Sequence, residues 1–393
     1  MGIYSEYIET LKDFNSISLE RKKQLLRISQ LRNREIISYS TDMNNKTKGN
    51  ELAISFADFI PFKDQVNNLE GKEIDIILET PGGLAEVVED MVKYVRGKFE
   101  KVAFIIPGTA KSAGTIFALS GDEILMGNTS SLGPIDAQVL SPNGKRFSAD
   151  AFLEGLENIK KEVEVSKRLN PTYIPMLQNI SPGEIQHCKN AQTFSRNLVT
   201  NWLKTYKFKY WTEHSSTGKP VTIKDKQQKA KEIADLLCKQ SYWKTHGRSI
   251  KIDDFHKIGL KITNYDQDKD LADAINRYYL LLRLTFDHTS IYKIFETKES
   301  QIYSSVQPNI GSGLKSPNLY PNKFDNIVAE FNCPKCKNKG KLQLNFKKNV
   351  KLRPDVNPYP KDNIYICPKC GLRQDLTPLK LQVEAQTRKK VVF

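Results

Sequence analysis

Apolar residues recur with two different periods along this chain, and the two periods predict strands and helices. The predicted strands are the β-rich runs at residues 35–39, 52–56, 75–78, 102–106 and 123–126. Between the third and fourth runs, apolar residues follow the helical spacing i, i+3, i+4, i+7 and i+11 at Leu84, Val87, Val88, Met91 and Val95. This alternation predicts an α/β layer fold that contains a βαβ unit.

Helical patterns dominate on both sides of this region. A buried stripe is expected at Ala230, Ile233, Ala234 and Leu237, and a long helix at 270–295. Residues 307–322 are rich in proline and glycine, which is typical of a linker. The predicted domains are a helical lead-in at 1–34, an α/β core at 35–200, a helical extension at 201–306, a linker at 307–330 and a small module at 331–393.

Composition describes a globular protein that is large enough to form several domains. The chain has 393 residues, of which 39% are hydrophobic and 27% are charged. Its longest apolar runs have the length of strands, so we expect no membrane span. The first ten residues contain no apolar segment of the kind found in export signals, and we therefore expect a cytoplasmic protein.

The net charge of +15 is concentrated in the C-terminal module. Residues 331–393 contain 15 Lys or Arg and only 4 Asp or Glu. Such a surface suits the phosphates of a nucleic acid, with aromatic side chains to stack on bases, and it suits an acidic protein partner equally well. The sequence leaves both alternatives open.

Four cysteines in the same module have the spacing of a metal site. Two Cys-x2-Cys pairs are separated by 30 residues, at Cys333, Cys336, Cys367 and Cys370. Without an export signal, this pattern favours metal ligation over disulfides. Four sulfurs predict a closed, structural Zn²⁺ site, which leaves no open position for zinc catalysis. Period-two alternation at 341–346 and 379–383 predicts short strands, so that the module is a β-type zinc ribbon.

Two turns in the α/β region carry the residues of a candidate active site. Thr80-Pro81-Gly82-Gly83 follows one predicted strand, and the stretch from Gly108 to Thr115 follows the next. The carboxyl ends of neighbouring parallel strands lie at one sheet edge, where ligands bind. Small residues beside Ser112 would let a substrate approach, and the paired glycines would let backbone N–H groups point toward it.

These turns, with Ser131-Leu-Gly-Pro-Ile-Asp136, resemble the serine peptidases of the Clp and signal-peptide-peptidase-A clan, and most of all the serine dehydrogenase proteinase family. The resemblance covers roughly residues 35–260. It implies a ClpP/crotonase-type layered sheet with a peptidase core at 35–200, a Ser112 nucleophile, and an oxyanion hole formed by the backbone N–H groups of Gly83 and Ala113. It also implies a peptide or protein substrate and assembly into a homo-oligomer.

The sequence specifies the general base less clearly than the nucleophile. Where the Clp subunit has its catalytic histidine, this chain reads Ile135-Asp136-Ala137. The signal-peptide-peptidase branch uses a lysine from a later helix, and the resemblance implies Lys167 for that role. The alternatives are Lys160, Lys161, His187 and His246.

The sequence also predicts the surroundings of two further side chains. We expect Lys111 to face solvent or substrate, and Asp136 to hydrogen-bond the backbone of the turn after Gly133-Pro134 rather than to orient a base.

The leading hypothesis is a serine-type endopeptidase with a Ser-Lys dyad. The alternative is an inactive scaffold of the same fold, in which the zinc ribbon binds a protein or a nucleic acid.

Overall fold

A computed structural model describes residues 2–11, 13–44, 49–141, 144–214, 217–305, 325–387 and 389–393. The chain forms two compact units that are interleaved in sequence. One comprises Met1–Arg27, Ala274–Lys293 and Tyr303–Phe393, and the other comprises Ile28–Asp273 and Ile294–Ile302. Most of the predicted linker, including all of residues 307–322, lies outside the described residues. The five-part division into domains stays a prediction.

Helices occur in both units. They are α1 Ile3–Thr10, α2 Phe14–Arg32, α3 Phe56–Asn67, α4 Ala85–Lys98, α5 Ala113–Ala118, α6 Ala149–Ser166, α7 Ile174–Leu177, α8 Pro182–Trp202, α9 Ile223–Cys238, α10 Gln240–Trp243, α11 Ile252–Lys257, α12 Lys269–His288 and α13 Thr377–Thr387. A π-helical segment, Leu203–Lys207, extends α8.

The strands form one large sheet and several small ones. They are β1 Glu35–Thr41, β2 Glu73–Glu79, β3 Lys101–Ile106, β4 Thr109–Ala110, β5 Glu123–Met126, β6 Ser131–Leu132, β7 Gln138–Leu140, β8 Arg146–Ser148, β9 Thr263–Asn264, β10 Ile291–Thr297, β11 Gln301–Ser305, β12 Asn326–Asn332, β13 Lys339–Asn345, β14 Asn357–Pro358, β15 Ile364–Ile366 and β16 Arg373–Asp375. The large sheet has the order β11-β10-β1-β2-β3-β5-β9.

The centre of this sheet confirms the predicted α/β fold. Strands β1, β2, β3 and β5 run parallel, and their side chains are almost wholly buried because helices cover the sheet. The helix predicted from the apolar stripe is α4, which buries Val87, Val88, Met91 and Val95. Leu84, the first residue of the predicted stripe, instead lies at the N-cap and is 42% exposed.

The strand predicted at 52–56 is wrong. Helix α3 begins at Phe56, because Ser55 and Asp58 form a capping box: the backbone N–H of Ser55 donates to the Asp58 carboxylate at 2.8 Å. The buried phenol of Tyr39 donates to the same carboxylate at 3.0 Å, which fixes the helix start against the sheet. Local capping therefore outweighs the β-rich composition of this run.

Two other predicted elements also need correction. The helix predicted at 270–295 ends at His288, and Ile291–Thr297 forms a strand beside β1. Its Phe295 ring stacks on Tyr39 at 4.7 Å, so burial in the sheet decides the conformation of this segment. The strand predicted at 379–383 is part of helix α13, whose Leu381 and Val383 are buried.

Aromatic packing holds the short helix α5 against the sheet. The rings of Phe104 on β3 and Phe117 on α5 meet edge to face at 4.8 Å, and Phe62 contacts Phe117 from α3 at 5.9 Å. All three side chains are fully or almost fully buried. This packing fixes the residues that directly precede α5. Among the described residues, no helix combines the length and apolar character needed to cross a bilayer.

Candidate active site

The two predicted turns lie side by side at the carboxyl ends of β2 and β3. Thr80 and Lys111 are joined by a hydrogen bond of 3.0 Å from the Lys111 N–H to the Thr80 carbonyl. Gly82 approaches Ser112 so closely that a Cβ at Gly82 would lie 2.7 Å from the Ser112 Cβ. Gly82 also has a φ of +103°, which favours glycine. The sequence pattern therefore places the Gly-Gly turn against the candidate nucleophile.

Ser112 has a strained backbone of the kind found at nucleophilic turns. Its φ of 50° and ψ of −119° are unusual for a residue with a side chain, and helix α5 begins at the next residue. The surrounding hydrogen bonds hold it there: Thr115 Oγ1 donates to the Ala110 carbonyl at 3.0 Å and accepts the N–H of Gly133 at 2.9 Å. Ser112 itself is half-buried and accessible.

Two backbone N–H groups beside Ser112 are available to a ligand. Within the described part of the chain, neither the Gly83 N–H nor the Ala113 N–H has a hydrogen-bond acceptor. The peptides around Gly83 are fixed, because the Ile54 N–H donates to the Gly82 carbonyl at 2.6 Å and the Leu84 N–H donates to the Ile54 carbonyl at 3.0 Å. Two such donors suit a developing oxyanion.

A buried aspartate and a histidine that lie 110 residues apart in the sequence form a hydrogen-bonded pair. Asp136 Oδ1 lies 2.8 Å from Nδ1 of His246, and its other carboxylate oxygen accepts a 2.8 Å bond from Gln138 Nε2. The Asp136 side chain is fully buried, whereas that of His246 is 29% exposed. The expectation that Asp136 hydrogen-bonds turn backbone is therefore wrong, because its carboxylate binds two side chains, one of them a histidine.

The pairing defines the tautomer of His246. A carboxylate only accepts hydrogen bonds, so Nδ1 of His246 carries the proton that it donates to Asp136. In the neutral form of the ring, Nε2 then carries a lone pair, and this atom has no hydrogen-bond partner among the described residues. A histidine oriented in this way can accept a proton from a nucleophile.

The segments that carry Ser112 and His246 are joined through β6. Strand β4, two residues before Ser112, pairs with β6. Leu132 on β6 forms an antiparallel bridge with Ile250, with hydrogen bonds of 3.1 and 3.0 Å. Ile250 lies four residues after His246. The fold thus brings the histidine segment to the same edge of the sheet as the candidate nucleophile.

The ammonium of Lys111 binds neighbouring segments of the chain instead of extending freely into solvent, so that part of the expectation is wrong. Its Nζ donates to the carbonyls of Leu132 and Arg248 at 2.8 and 3.1 Å, and to Ser249 Oγ at 3.1 Å. Burial, together with the nearby charge of Lys251, lowers the pKa of Lys111 to about 8.

The other candidate bases are exposed. Lys167 ends helix α6 in the left-handed conformation with a φ of 58°, and its side chain points into solvent. Lys160 lies 3.9 Å from Glu157 and Glu164, while Lys161 and His187 are also exposed. In the described part of the chain, no hydrogen bond joins Ser112 to any of these side chains, nor to His246. The three lysines therefore lack the burial that a lysine base requires.

The four cysteines of the C-terminal module come together as the sequence predicts. Their sulfur atoms all lie within 4.8 Å of one another, and Cys333–Cys370 and Cys336–Cys367 are each 3.6 Å apart. A tetrahedral site with Zn–S bonds of about 2.3 Å has sulfur–sulfur edges of about 3.8 Å. Backbone N–H groups of Cys336 and Lys335 lower the pKa of the Cys333 thiol to about 6, which favours the thiolate that a metal binds. The four residues fit a metal ion.

Short strands flank both cysteine pairs. Cys333 follows β12 and Cys367 follows β15, while β13 and β16 begin shortly after the second cysteine of each pair. Basic side chains are exposed around them and form no salt bridge among the described residues, at Lys335, Lys337, Lys339, Lys361, Lys369 and Arg373. Lys341 and Lys347 instead pair with Glu330 and Asp325, both at 2.8 Å.

The region that contains Ser112 is similar to known proteins. Residues 13–200 match the family described as ClpP-like SDH-type serine proteinases, which confirms the resemblance carried by the motifs. Two uncharacterized proteins of Methanocaldococcus jannaschii are similar: one is 27% identical over 65% of this chain and 78% of its own length. The other is 30% identical over 54% of this chain and 61% of its own length.

A solved structure is also similar in part. It is a mutant of the 1510-N membrane-bound stomatin-specific protease, with a TM-score of 0.33 and 16% identity over 56% of this chain and 79% of that chain.

The contact between Gly82 and Ser112 makes a testable prediction about stability. Gly82→Ala adds backbone strain and a clash with Ser112 Cβ, and we expect it to lower the free energy of unfolding by more than about 2 kcal/mol. Gly144→Ala is the matched control, because Gly144 has a φ of +77° but open space around it, and it should cost only about 1 kcal/mol. Urea unfolding measures both values. Equal losses would contradict the close approach.

Proposed function

We propose that this chain, whose residues 13–200 match the family of ClpP-like SDH-type serine proteinases, hydrolyses peptide bonds with Ser112 as the nucleophile. The observation that carries the proposal is the Asp136–His246 pair, with its 2.8 Å hydrogen bond, at the sheet edge that also holds the strained turn of Ser112. A serine hydroxyl is a weak nucleophile until a positioned base takes its proton. His246 has the tautomer that this role requires.

The reaction follows the general logic of a Ser-His-Asp triad. Ser112 Oγ attacks the peptide carbonyl carbon while its proton passes to Nε2 of His246. Asp136 keeps Nδ1 protonated and stabilises the imidazolium that forms. His246 then gives the proton to the leaving amine, and a water molecule hydrolyses the acyl-enzyme with the same base. Along this chain the order is Ser112, Asp136, His246, which differs from the order in the Clp subunit.

The oxyanion of each tetrahedral intermediate would be stabilised by backbone donors. The free N–H groups of Gly83 and Ala113 flank Ser112 and support this assignment. Gly82 allows the Gly83 peptide to approach, because no side chain separates it from Ser112. Such a pair of donors contributes on the order of 3 kcal/mol per donor to lowering the activation barrier.

We place His246 ahead of Lys167 as the base. A lysine acts as a base only when burial or a neighbouring charge removes its proton at neutral pH, and Lys167 is exposed at a helix end. His246 is instead held by the buried carboxylate of Asp136 through Nδ1, which leaves Nε2 as the ring atom that can take the proton. Lys167 would become the better candidate if homo-oligomer formation buried it, and variants of the two residues separate these cases.

The nucleophile and base can be tested together with a fluorescent fluorophosphonate. We expect the wild-type chain to be labelled at Ser112, and Ser112→Ala to lose the label. His246→Gln and Asp136→Asn should slow labelling by at least about 100-fold, because proton transfer is abolished or misdirected. Mass spectrometry locates the label, and thermal unfolding checks that each variant folds.

Two exposed residues serve as matched controls for the base. Lys167→Ala and His187→Gln should label at the wild-type rate. Loss of labelling in Lys167→Ala with wild-type labelling in His246→Gln would instead assign a Ser-Lys dyad. Absence of labelling in the folded wild-type chain would favour the inactive scaffold.

For the cysteine cluster we propose a structural Zn²⁺ ion. Sulfur–sulfur distances of 3.6 Å and a set of four thiolates support zinc rather than a hard cation. The apolar cluster around Leu342, Leu344 and Tyr359 is small, so metal binding would supply much of the folding free energy of the ribbon.

Metal content and chelation test this assignment. We expect about one zinc per purified chain by elemental analysis, and a chelator should make residues 325–387 sensitive to proteolysis. Cys367→Ser should lose the zinc, whereas Cys188→Ser, which changes a buried cysteine outside the cluster, should keep it. Zinc retained by Cys367→Ser, or absent from wild type, would contradict the site.

We further propose that the ribbon binds single-stranded nucleic acid. Its exposed basic side chains are spread over both cysteine turns and form no salt bridge in the described residues, which suits a run of phosphates. Ile366, which is 58% exposed on β15 opposite Arg373, offers an apolar contact for a base.

Salt dependence tests this partner. The full chain should bind a random single-stranded oligonucleotide, and the logarithm of its affinity should fall linearly with the logarithm of salt concentration. Changing Lys335, Lys369 and Arg373 to alanine should reduce the slope by about 0.7 for each phosphate that is no longer neutralised. Changing Lys161, Lys224 and Lys231, which are exposed outside the ribbon, to alanine should leave the slope unchanged. Absence of binding at low salt would overturn the nucleic-acid proposal and favour an acidic protein as the partner.

A further inference from the structure

Three segments that are distant in sequence meet beside the candidate active site. They are the turn at 109–112, strand β6 at Ser131–Leu132, and residues 248–250. Strands β4 and β6 pair over only two residues, and a single bridge joins Leu132 to Ile250. Such short pairings leave the position of Ser112 relative to the His246 segment weakly determined by backbone hydrogen bonds alone.

The ammonium of Lys111 joins all three segments. A protonated lysine has three N–H donors, and Lys111 has three acceptors: the Leu132 carbonyl, the Arg248 carbonyl and Ser249 Oγ. Gly133 makes room for the lysine stem, because a Cβ at Gly133 would lie 2.7 Å from Lys111 Cδ. Lys111 is covalently bound to Ser112, and Arg248 lies two residues after His246.

We propose that Lys111 is a positioning residue that fixes the turn of Ser112 against the segment of His246, so that the serine hydroxyl faces the base. This inference rests on the proposed peptidase function. Lys111 does not act as the base itself, because its ammonium already donates to three other acceptors. Its burial and lowered pKa are consistent with a closely packed ammonium.

Lys251 provides a matched comparison within the same region. Its Nζ donates to the carbonyls of Thr129 and Ser130 at 2.7 and 2.8 Å. Like Lys111, it binds backbone carbonyls, and it connects the 248–251 segment to the residues before β6. It forms no hydrogen bond with the turn that carries Ser112 in the described residues.

Fluorophosphonate labelling of the full chain at several probe concentrations separates probe binding from the bond-forming step. We expect Lys111→Met, which keeps the length of the stem, to lower the maximal labelling rate by on the order of 10- to 100-fold, with little change in the probe concentration for half-maximal rate. Lys111→Arg should recover most of the rate, because it restores a charged donor. Lys251→Met should label like wild type, even where it lowers the melting temperature as much as Lys111→Met does.

Each outcome decides the proposal. Wild-type labelling rates in Lys111→Met, or an equal loss in Lys251→Met, would overturn it. If Lys111→Met does not fold, Ser249→Ala carries the test: it removes one acceptor, so a severalfold lower maximal rate supports the proposal and an unchanged rate overturns it. Failure of the underlying peptidase function is distinguishable, because wild type would then not be labelled or Ser112→Ala would be labelled equally.

Discussion

The close approach of two turns at the carboxyl ends of β2 and β3 is the constraint on which the site depends. Gly82 lies against Ser112 with no space for a Cβ, and the sharp backbone of Ser112 directs the chain into α5. The strain of that conformation is offset elsewhere, by the burial of Phe104 and Phe117 and by the hydrogen bonds of Thr115. A packed core thus holds a turn that would not be stable alone.

Around this contact, polar side chains rather than long strands set the geometry. Lys111 bonds to two segments, and Asp136 orients His246 from a fully buried position. A buried charge is costly unless it is paired, so Asp136 is stable there only because His246 and Gln138 satisfy its oxygens. The same bonds that stabilise the carboxylate prepare the imidazole to accept a proton.

The elements that could be predicted from the sequence are those decided locally. Strand β5 occupies the residues predicted for it, because an apolar run between helices has few other ways to be buried. The glycines and Ser112 are recognisable because each turn is encoded within a few residues. Likewise, the cysteine spacing predicts the cluster that the fold assembles.

What could not be predicted depends on contacts between distant residues. Asp136 and His246 are 110 residues apart, and nothing near either one identifies its partner. The direction of the Lys111 side chain depends on the absence of a side chain at Gly133, which lies 22 residues later. At Phe56, the capping box is visible in the sequence, but the β-rich composition of the run favours a strand more strongly.

The most direct test of the central claim is a crystal structure of the fluorophosphonate adduct. We expect phosphorus bonded to Ser112 Oγ, its phosphoryl oxygen accepting the N–H groups of Gly83 and Ala113, and Nε2 of His246 facing Ser112 Oγ within hydrogen-bond distance. An adduct on another residue, or one in which a lysine rather than His246 contacts Ser112 Oγ, would contradict the claim.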